Sequence, residues 1–267
     1  MIDGLRPDRS GEWRVYAVRY ASRTSLRSTH FHYADERGHE PHPTAYYVWL
    51  ALSDTETVLV DAGLAPATAS RMKGLDYVGS PVDLIGELGI SPGDIDVCVL
   101  THLHYDHTGV VADLPSARYV VQQKELDYWN GPWATRVGQE RWLHSRSDID
   151  HVTGSPRLDI VDGDRELAPG LSVHAVGGHT AGMQVVSVHT ERGTLVLASD
   201  ASHFYENIES DSPFAILHCL PDMFGAFDRI KELADSPEHV VPGHDPLVAQ
   251  RCAAVDPDLH PHISVLG

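Results

Sequence analysis

Residues 101–107 read Thr-His-Leu-His-Tyr-Asp-His, which puts four potential metal ligands within six positions, directly after a near-continuous apolar run over 95–100. An apolar run without alternation marks a strand buried on both faces. The loop that follows such a strand is where functional groups are usually carried. In extended chain His102 and His104 point to the same side. Neutral imidazole suits zinc, and a neighbouring carboxylate adds a harder donor. Asp106 and His107 follow closely enough to serve a second ion beside the first. The fold must therefore end a buried strand at a metal site and bring further ligands to it from elsewhere.

Three candidates are available, each after a short apolar strand: His179 in Val-Gly-Gly-His-Thr, Asp200 in Leu-Ala-Ser-Asp, and His244 in Val-Pro-Gly-His-Asp. Glycine precedes both histidines and permits tight turns near a ligand. Around these sites, aromatic and β-branched runs predict strands at 13–18, 46–50, 57–60, 117–121, 158–161, 171–176, 185–189, 194–198 and 239–241. Ser80-Pro81 opens a helix that Gly89 stops. Met223, Phe227, Ile230 and Leu233 lie at helical spacing within a helix over 222–234. Residues 123–150 read as irregularly helical. Residues 22–45, with His30, His32, His39 and His42, read as a long polar loop between two strands. Both segments are expected to shape a pocket or an interface.

The order HLHYDH, GGHT, ASDAS, VPGHD resembles the metallo-β-lactamase superfamily, and with Asp61 the matching residues extend to His244. The resemblance implies an α+β fold, a four-layer αβ/βα sandwich forming one domain over residues 1–267. It implies one ion held by His102, His104 and His179, another by Asp106, His107 and His244, with Asp200 bridging and Asp61 orienting a ligand histidine. The ions would be two divalent cations, zinc by default, with manganese, iron or cobalt fitting the same donors. Such a pair, roughly 3.5–4 Å apart, shares a hydroxide at neutral pH. That hydroxide attacks a carbonyl carbon, and Asp106 both ligates and relays a proton.

Within the superfamily the chain looks most like the N-acyl homoserine lactonase branch, in its length, in Tyr105 and in the segment around Asp200. The implied partner is a small-molecule lactone or ester, the implied activity quorum quenching, and a homodimer is a reasonable assembly. That branch typically carries a substrate-contacting tyrosine three residues after the bridging aspartate. Here the position is His203, followed by Phe204 and Tyr205, so His203 or Tyr205 is expected to take the catalytic tyrosine's place. The third motif also departs, running His179-Thr180-Ala181-Gly182 without a second histidine. The alternatives are another hydrolase of the fold, a thioesterase of the glyoxalase II type or a β-lactamase, and then an iron persulfide dioxygenase.

Charge and composition narrow the field. Net charge is −18, which disfavours nucleic acid and with it a nuclease of the RNase Z type. No apolar run approaches the roughly 18 residues of a membrane span, and the amino terminus has no apolar core of a secretory signal. Cys98, Cys219 and Cys252 are too few and too scattered for a disulfide framework, as expected of a cytoplasmic protein.

Overall fold

The computed structural model describes residues 4–7, 11–138 and 140–267; the reading of the amino terminus, and position 139 within the 123–150 segment, lie partly outside them. Among the described residues the strands are β1 (Arg14–Leu26), β2 (Pro41–Leu52), β3 (Thr57–Val60), β4 (Asp76–Tyr77), β5 (Val97–Val99), β6 (Arg118–Gln122), β7 (Leu158–Val161), β8 (Arg165–Ala168), β9 (Leu171–Ala175), β10 (Gln184–Thr190), β11 (Gly193–Ser199), β12 (Val240–Pro242), β13 (Ala253–Asp256) and β14 (His260–Val265). One sheet runs β13-β14-β1-β2-β3-β5-β6-β7, with β4 against β1; the other runs β12-β11-β10-β9-β8. The helices are α1 (Pro66–Ala69), α2 (Pro81–Gly86), α3 (Tyr105–Thr108), α4 (Gln123–Trp129), α5 (Arg146–Gly154), α6 (Tyr205–Glu209), α7 (Leu220–Leu233) and α8 (Leu247–Arg251).

The layering follows from side-chain alternation. Along β2, Tyr47, Trp49 and Ala51 point into a core shared with Val173, Val186, Val188 and Leu197 of the second sheet. Tyr46, Val48, Leu50 and Leu52 point the other way, into a core with Leu84, Ile85, Leu126 and Ile149 of the outer helices. A strand buried on both faces alternates between two cores instead of between core and water. The second sheet is covered on its outer face by α7, whose Met223, Phe227 and Ile230 meet Met183, Val185 and Val196. The result is the αβ/βα sandwich, each large apolar side chain contributing about 1.5–3 kcal/mol on full burial.

Most expected strands form where the apolar runs lie. The polar stretch 22–45 is a correction: it is not a loop throughout. β1 continues to Leu26 and β2 begins at Pro41, paired with each other from Ala21↔Tyr46 to Leu26↔Pro41, so only residues 27–40 connect them. Polar side chains do not disqualify a strand whose outer face meets solvent or a pocket. β13 and β14 were not anticipated, because Pro261 and the flanking histidines hide the alternation. Helix α2 begins at Pro81 as expected, but Ser80 makes no side-chain cap.

The parallel run β3-β5-β6-β7 places the ends of β3 and β5 side by side, which is where α/β sheets build their sites. Gly109 locks this arrangement: a Cβ there would come within 2.1 Å of the Ala65 backbone nitrogen and 2.6 Å of the Leu64 carbonyl carbon, and its own N–H donates to Gly63 O at 2.7 Å. Gly109→Ala is expected to cost about 1–3 kcal/mol or more, read as a lower urea midpoint at unchanged slope.

Candidate metal centre and pocket

Each expected ligand stands just past a strand end. His102 and His104 follow β5, with Asp106 and His107 in the first turn of α3. His179 lies between β9 and β10, Asp200 directly after β11, and His244 just past β12. Gly243 is required here, since a Cβ would fall 2.7 Å from Asp200 Oδ1 and from the Ser199 carbonyl carbon.

The imidazoles are oriented by their outer nitrogens. His102 Nδ1–H donates to Thr101 Oγ1 (3.0 Å), His107 Nδ1–H to Asp61 Oδ2 (2.8 Å), His179 Nδ1–H to Ile216 O (2.8 Å), and His244 Nδ1–H to Ala45 O (2.8 Å). With each proton fixed on Nδ1, the Nε2 lone pairs face inward, as metal ligation requires. His104 is reversed and presents Nδ1, 3.0 Å from His179 Nε2. Asp200 divides its two oxygens between two groups. Oδ1 lies 3.0 Å from His244 Nε2 and 3.4 Å from His107 Nε2, and Oδ2 lies 3.3 Å from His179 Nε2 and 3.8 Å from His102 Nε2.

Donor atoms of His102, His104, His179 and Asp200 lie within 4.8 Å of one another, as do those of Asp106, His107 and His244, and those of Asp200, His203 and His244. Each set could hold a cation. The donor chemistry fits: imidazole and carboxylate suit zinc and its neighbours. The Nε2 atoms of His102 and His107 and Oδ1 of Asp200 are buried without a hydrogen-bond partner, which is costly unless an electrophile receives their lone pairs.

The electrostatics recruit positive charge. Burial pushes His102 and His104 well below the usual imidazole range, keeping them in the neutral form a cation needs. Burial opposes the charged form of His107 as well, but the Asp200, Asp61 and Asp106 carboxylates outweigh it and hold that group well above its ordinary value. Asp200 is itself buried, yet His203, His244 and His107 hold it well below the usual carboxylate range.

The centre opens into a pocket of about 250 Å³ whose wall includes Arg23, Thr44, Tyr46, Tyr105, Asp106, Trp142 and His203. His203 is brought to the centre: its Nε2 lies 3.0 Å from Asp200 Oδ2 and its ring stacks on Phe214 at 3.4 Å. Tyr205 is a correction. It is the first residue of α6 and packs into the core between the sheets, beneath the Arg251 guanidinium at 3.7 Å, and it lines a separate cavity with Arg192 and Cys252. The extended backbone at Phe204, just before the helix, turns it away, and its N–H is taken by Asp245 Oδ2 at 3.0 Å. Sequence reasoning missed Arg23 and Tyr46 on the wall and two supporting groups, Thr101 and Glu125. Glu125 accepts from the N–H groups of Leu103 and Gly182 and from Trp129 Nε1. Only Thr101, sitting directly before the ligand motif, carried a signal.

The chain matches the metallo-β-lactamase superfamily over residues 41–244 and belongs to it. Within it, N-acyl homoserine lactonase AiiA of Bacillus thuringiensis subsp. kurstaki is 29% identical over 217 residues, 74% of this chain and 81% of that protein. N-acyl homoserine lactonase AiiB of Agrobacterium fabrum is 31% identical over 209 residues, 71% of this chain and 75% of that protein. Among solved structures, a quorum-quenching N-acyl homoserine lactone lactonase superposes with a TM-score of 0.75 at 21% identity, covering 93% of this chain and 98% of that one. AidC, a dizinc quorum-quenching lactonase in complex with a product, superposes at 0.70 with 20% identity and 89% coverage of each.

Two predictions follow from the supporting groups. Asp61→Asn keeps a residue that tolerates the left-handed backbone (φ 62°) but loses the charge behind His107. Cation affinity should fall roughly 10–100-fold by chelator competition, with circular dichroism unchanged. Burial, then His42 and Arg23, lowers His30 to about 4. The unfolded chain takes up that proton near 6.5 and the folded chain does not. His30 therefore adds stability above pH 6.5 that is lost as pH falls toward 4. Relative to His30→Gln, wild type should lose urea resistance across that window; a pH-independent difference would refute it.

Proposed function

We propose that this chain is a dinuclear metal-dependent lactonase that opens an N-acyl homoserine lactone or a related lactone. The observation that carries the reading is the division of Asp200 between two donor sets at the floor of one pocket; the lactonase relatives support the substrate class. His102, His104 and His179 would hold one cation and Asp106, His107 and His244 the other, with Asp200 placed between the two sets. When bound, two divalent cations, zinc by default, supply Lewis acidity and a water activated at neutral pH.

The rest falls to the protein. Asp106 and Asp200 both line the pocket, and Asp106 is the more exposed carboxylate, 14% against 4%; it takes the proton from the attacking water onto a carboxylate oxygen and returns it to the leaving ring oxygen. Burial keeps His203 neutral, at about 4; its Nε2, now 3.0 Å from Asp200 Oδ2, would donate to the substrate carbonyl once that oxygen turns to a cation, without adding charge, in the place a tyrosine occupies in the branch. Phe214 stacked on its ring holds that direction. Trp142 at the mouth shields the ring from bulk water. No helix among the described residues is long and apolar enough to cross a membrane. The three cysteines are unpaired, which supports a reducing, cytoplasmic setting. A homodimer belongs to the same reading.

Purified, metal-quantified protein should open acyl-homoserine or simple γ-lactones, and chelation should abolish this. His102→Ala and Asp200→Ala should fall to background with the fold retained. Near-wild-type turnover in either would remove the proposed centre. Efficient turnover of a thioester or nitrocefin instead of any lactone would assign one of the other hydrolase activities.

A further inference from the structure

We propose that Arg23 determines specificity, receiving a carboxylate carried on the side chain of the lactone. This deepens the lactonase reading and rests on it. The pocket has two unlike walls. Trp142, Leu143, Phe214 and Ile216 are apolar, whereas the β1–β2 side presents Arg23, Ser25, Thr29, His30 and Thr44 beside the one aromatic Tyr46. An alkyl chain gains nothing against that second wall, because it would strip water from hydroxyls and a guanidinium and return no hydrogen bond.

Arg23 is the only Arg or Lys among the residues lining the pocket. Its Nη2–H donates to Ser25 Oγ at 2.9 Å, and among the described residues no carboxylate lies within 4.0 Å of it. Arg27, near the end of the same hairpin, shows what an internally matched arginine looks like here: it pairs with Asp35 at 2.7 Å and Glu206 at 2.6 Å. The Arg23 side chain also meets the Tyr46 hydroxyl, and the guanidinium's five donors leave an edge for a bidentate carboxylate.

A buried histidine stands in the same wall. His30 is 7% exposed; its Nε2 accepts from the Thr44 hydroxyl at 3.4 Å, and its buried Nδ1 has no partner. Register fixes where the anion sits. Arg23 is directly across from Thr44, and the next residue, Ala45, accepts the His244 Nδ1–H. The guanidinium is thus one strand and one residue from a ligand histidine, within reach of a short carboxylate-bearing substituent on a ring held at the centre. In a chain of net charge −18, anions are repelled except where a local cation reverses the field.

The test compares N-glutaryl-L-homoserine lactone with its terminal carboxamide, equal in length but neutral. In wild type, kcat/KM for the acid should exceed that for the amide about tenfold, the worth of one charge-assisted contact. Arg23→Gln should bring the ratio to about one and Arg23→Lys should keep part of it. Calorimetric binding of the ring-opened N-glutaryl-L-homoserine to metal-loaded protein gives a readout independent of turnover, with about tenfold weaker affinity expected in Arg23→Gln. Equal rates on both lactones with an unchanged ratio in Arg23→Gln would overturn the proposal and leave the lactonase reading standing. If neither lactone opens, the lactonase reading fails and calorimetry decides: equal affinity in wild type and Arg23→Gln overturns the anion site, and a tenfold loss upholds it.

Discussion

The structure turns on a buried carboxylate that binds no substrate. Asp61, fully buried at the end of β3, accepts from Thr101 N–H and hydroxyl, from His107 Nδ1 and from the Ser199 hydroxyl, all at 2.8–2.9 Å. Its donors come from the end of β5, from α3 and from the end of β11, so one side chain ties the two sheets together where they meet the centre. A buried carboxylate left unpaired would cost several kcal/mol; with this many donors it becomes a rivet. The backbone yields to make the connection, with Asp61 at φ 62° and Ser199 at φ 45°. Strain of this kind persists only where the surroundings over-determine it.

Glu125 repeats the device on the other flank. Burial raises its pKa, opposed by the Leu103 and Gly182 N–H groups and the Trp129 indole. Those partners bracket His104 from the loop that follows β5 and His179 from the loop that precedes β10. The two carboxylates therefore hold the frame from both sides, while Asp200 is left for the interior, facing five imidazoles. A centre so constrained needs little reorganisation when charge develops in it, which is where electrostatic catalysis draws its strength.

Legibility in the sequence followed chemistry and failed with geometry. The centre was readable because His102, His104, Asp106 and His107 are crowded into one short segment, and few folds have another use for that. The sheets were readable where apolar runs such as 57–60 and 158–161 are bounded by turn residues. Tyr205 was misjudged because a position along the chain does not say which way a helix start points. The 22–45 stretch was taken for a loop because its strands carry Arg23, Ser25, His42 and Thr44, residues chosen for a pocket and not for a core. Glu125 was silent, since a buried glutamate in a helix looks like a solvated one until the fold surrounds it.

That mistaken stretch also explains how the architecture separates chemistry from selection. Of β2, only Trp49–Leu52 at its far end pair with β3, and of β1, only Tyr16–Val18 pair with β14. Beyond these, the hairpin from Ala21↔Tyr46 onward is held by its own ladder, by the short β4, by the Ala45–His244 hydrogen bonds and by the Arg27–Glu206 pair. It supplies one wall of the pocket at the centre. The backbone ladder of such a ribbon forms whichever polar side chains face the pocket. Arg23 is half-buried where Trp49, a few residues away, is fully buried, and neither Arg23 nor Thr44 belongs to the donor sets that include His244. A change of substrate on this fold is a change on this hairpin, and that is where a cation stands with no carboxylate partner among the described residues.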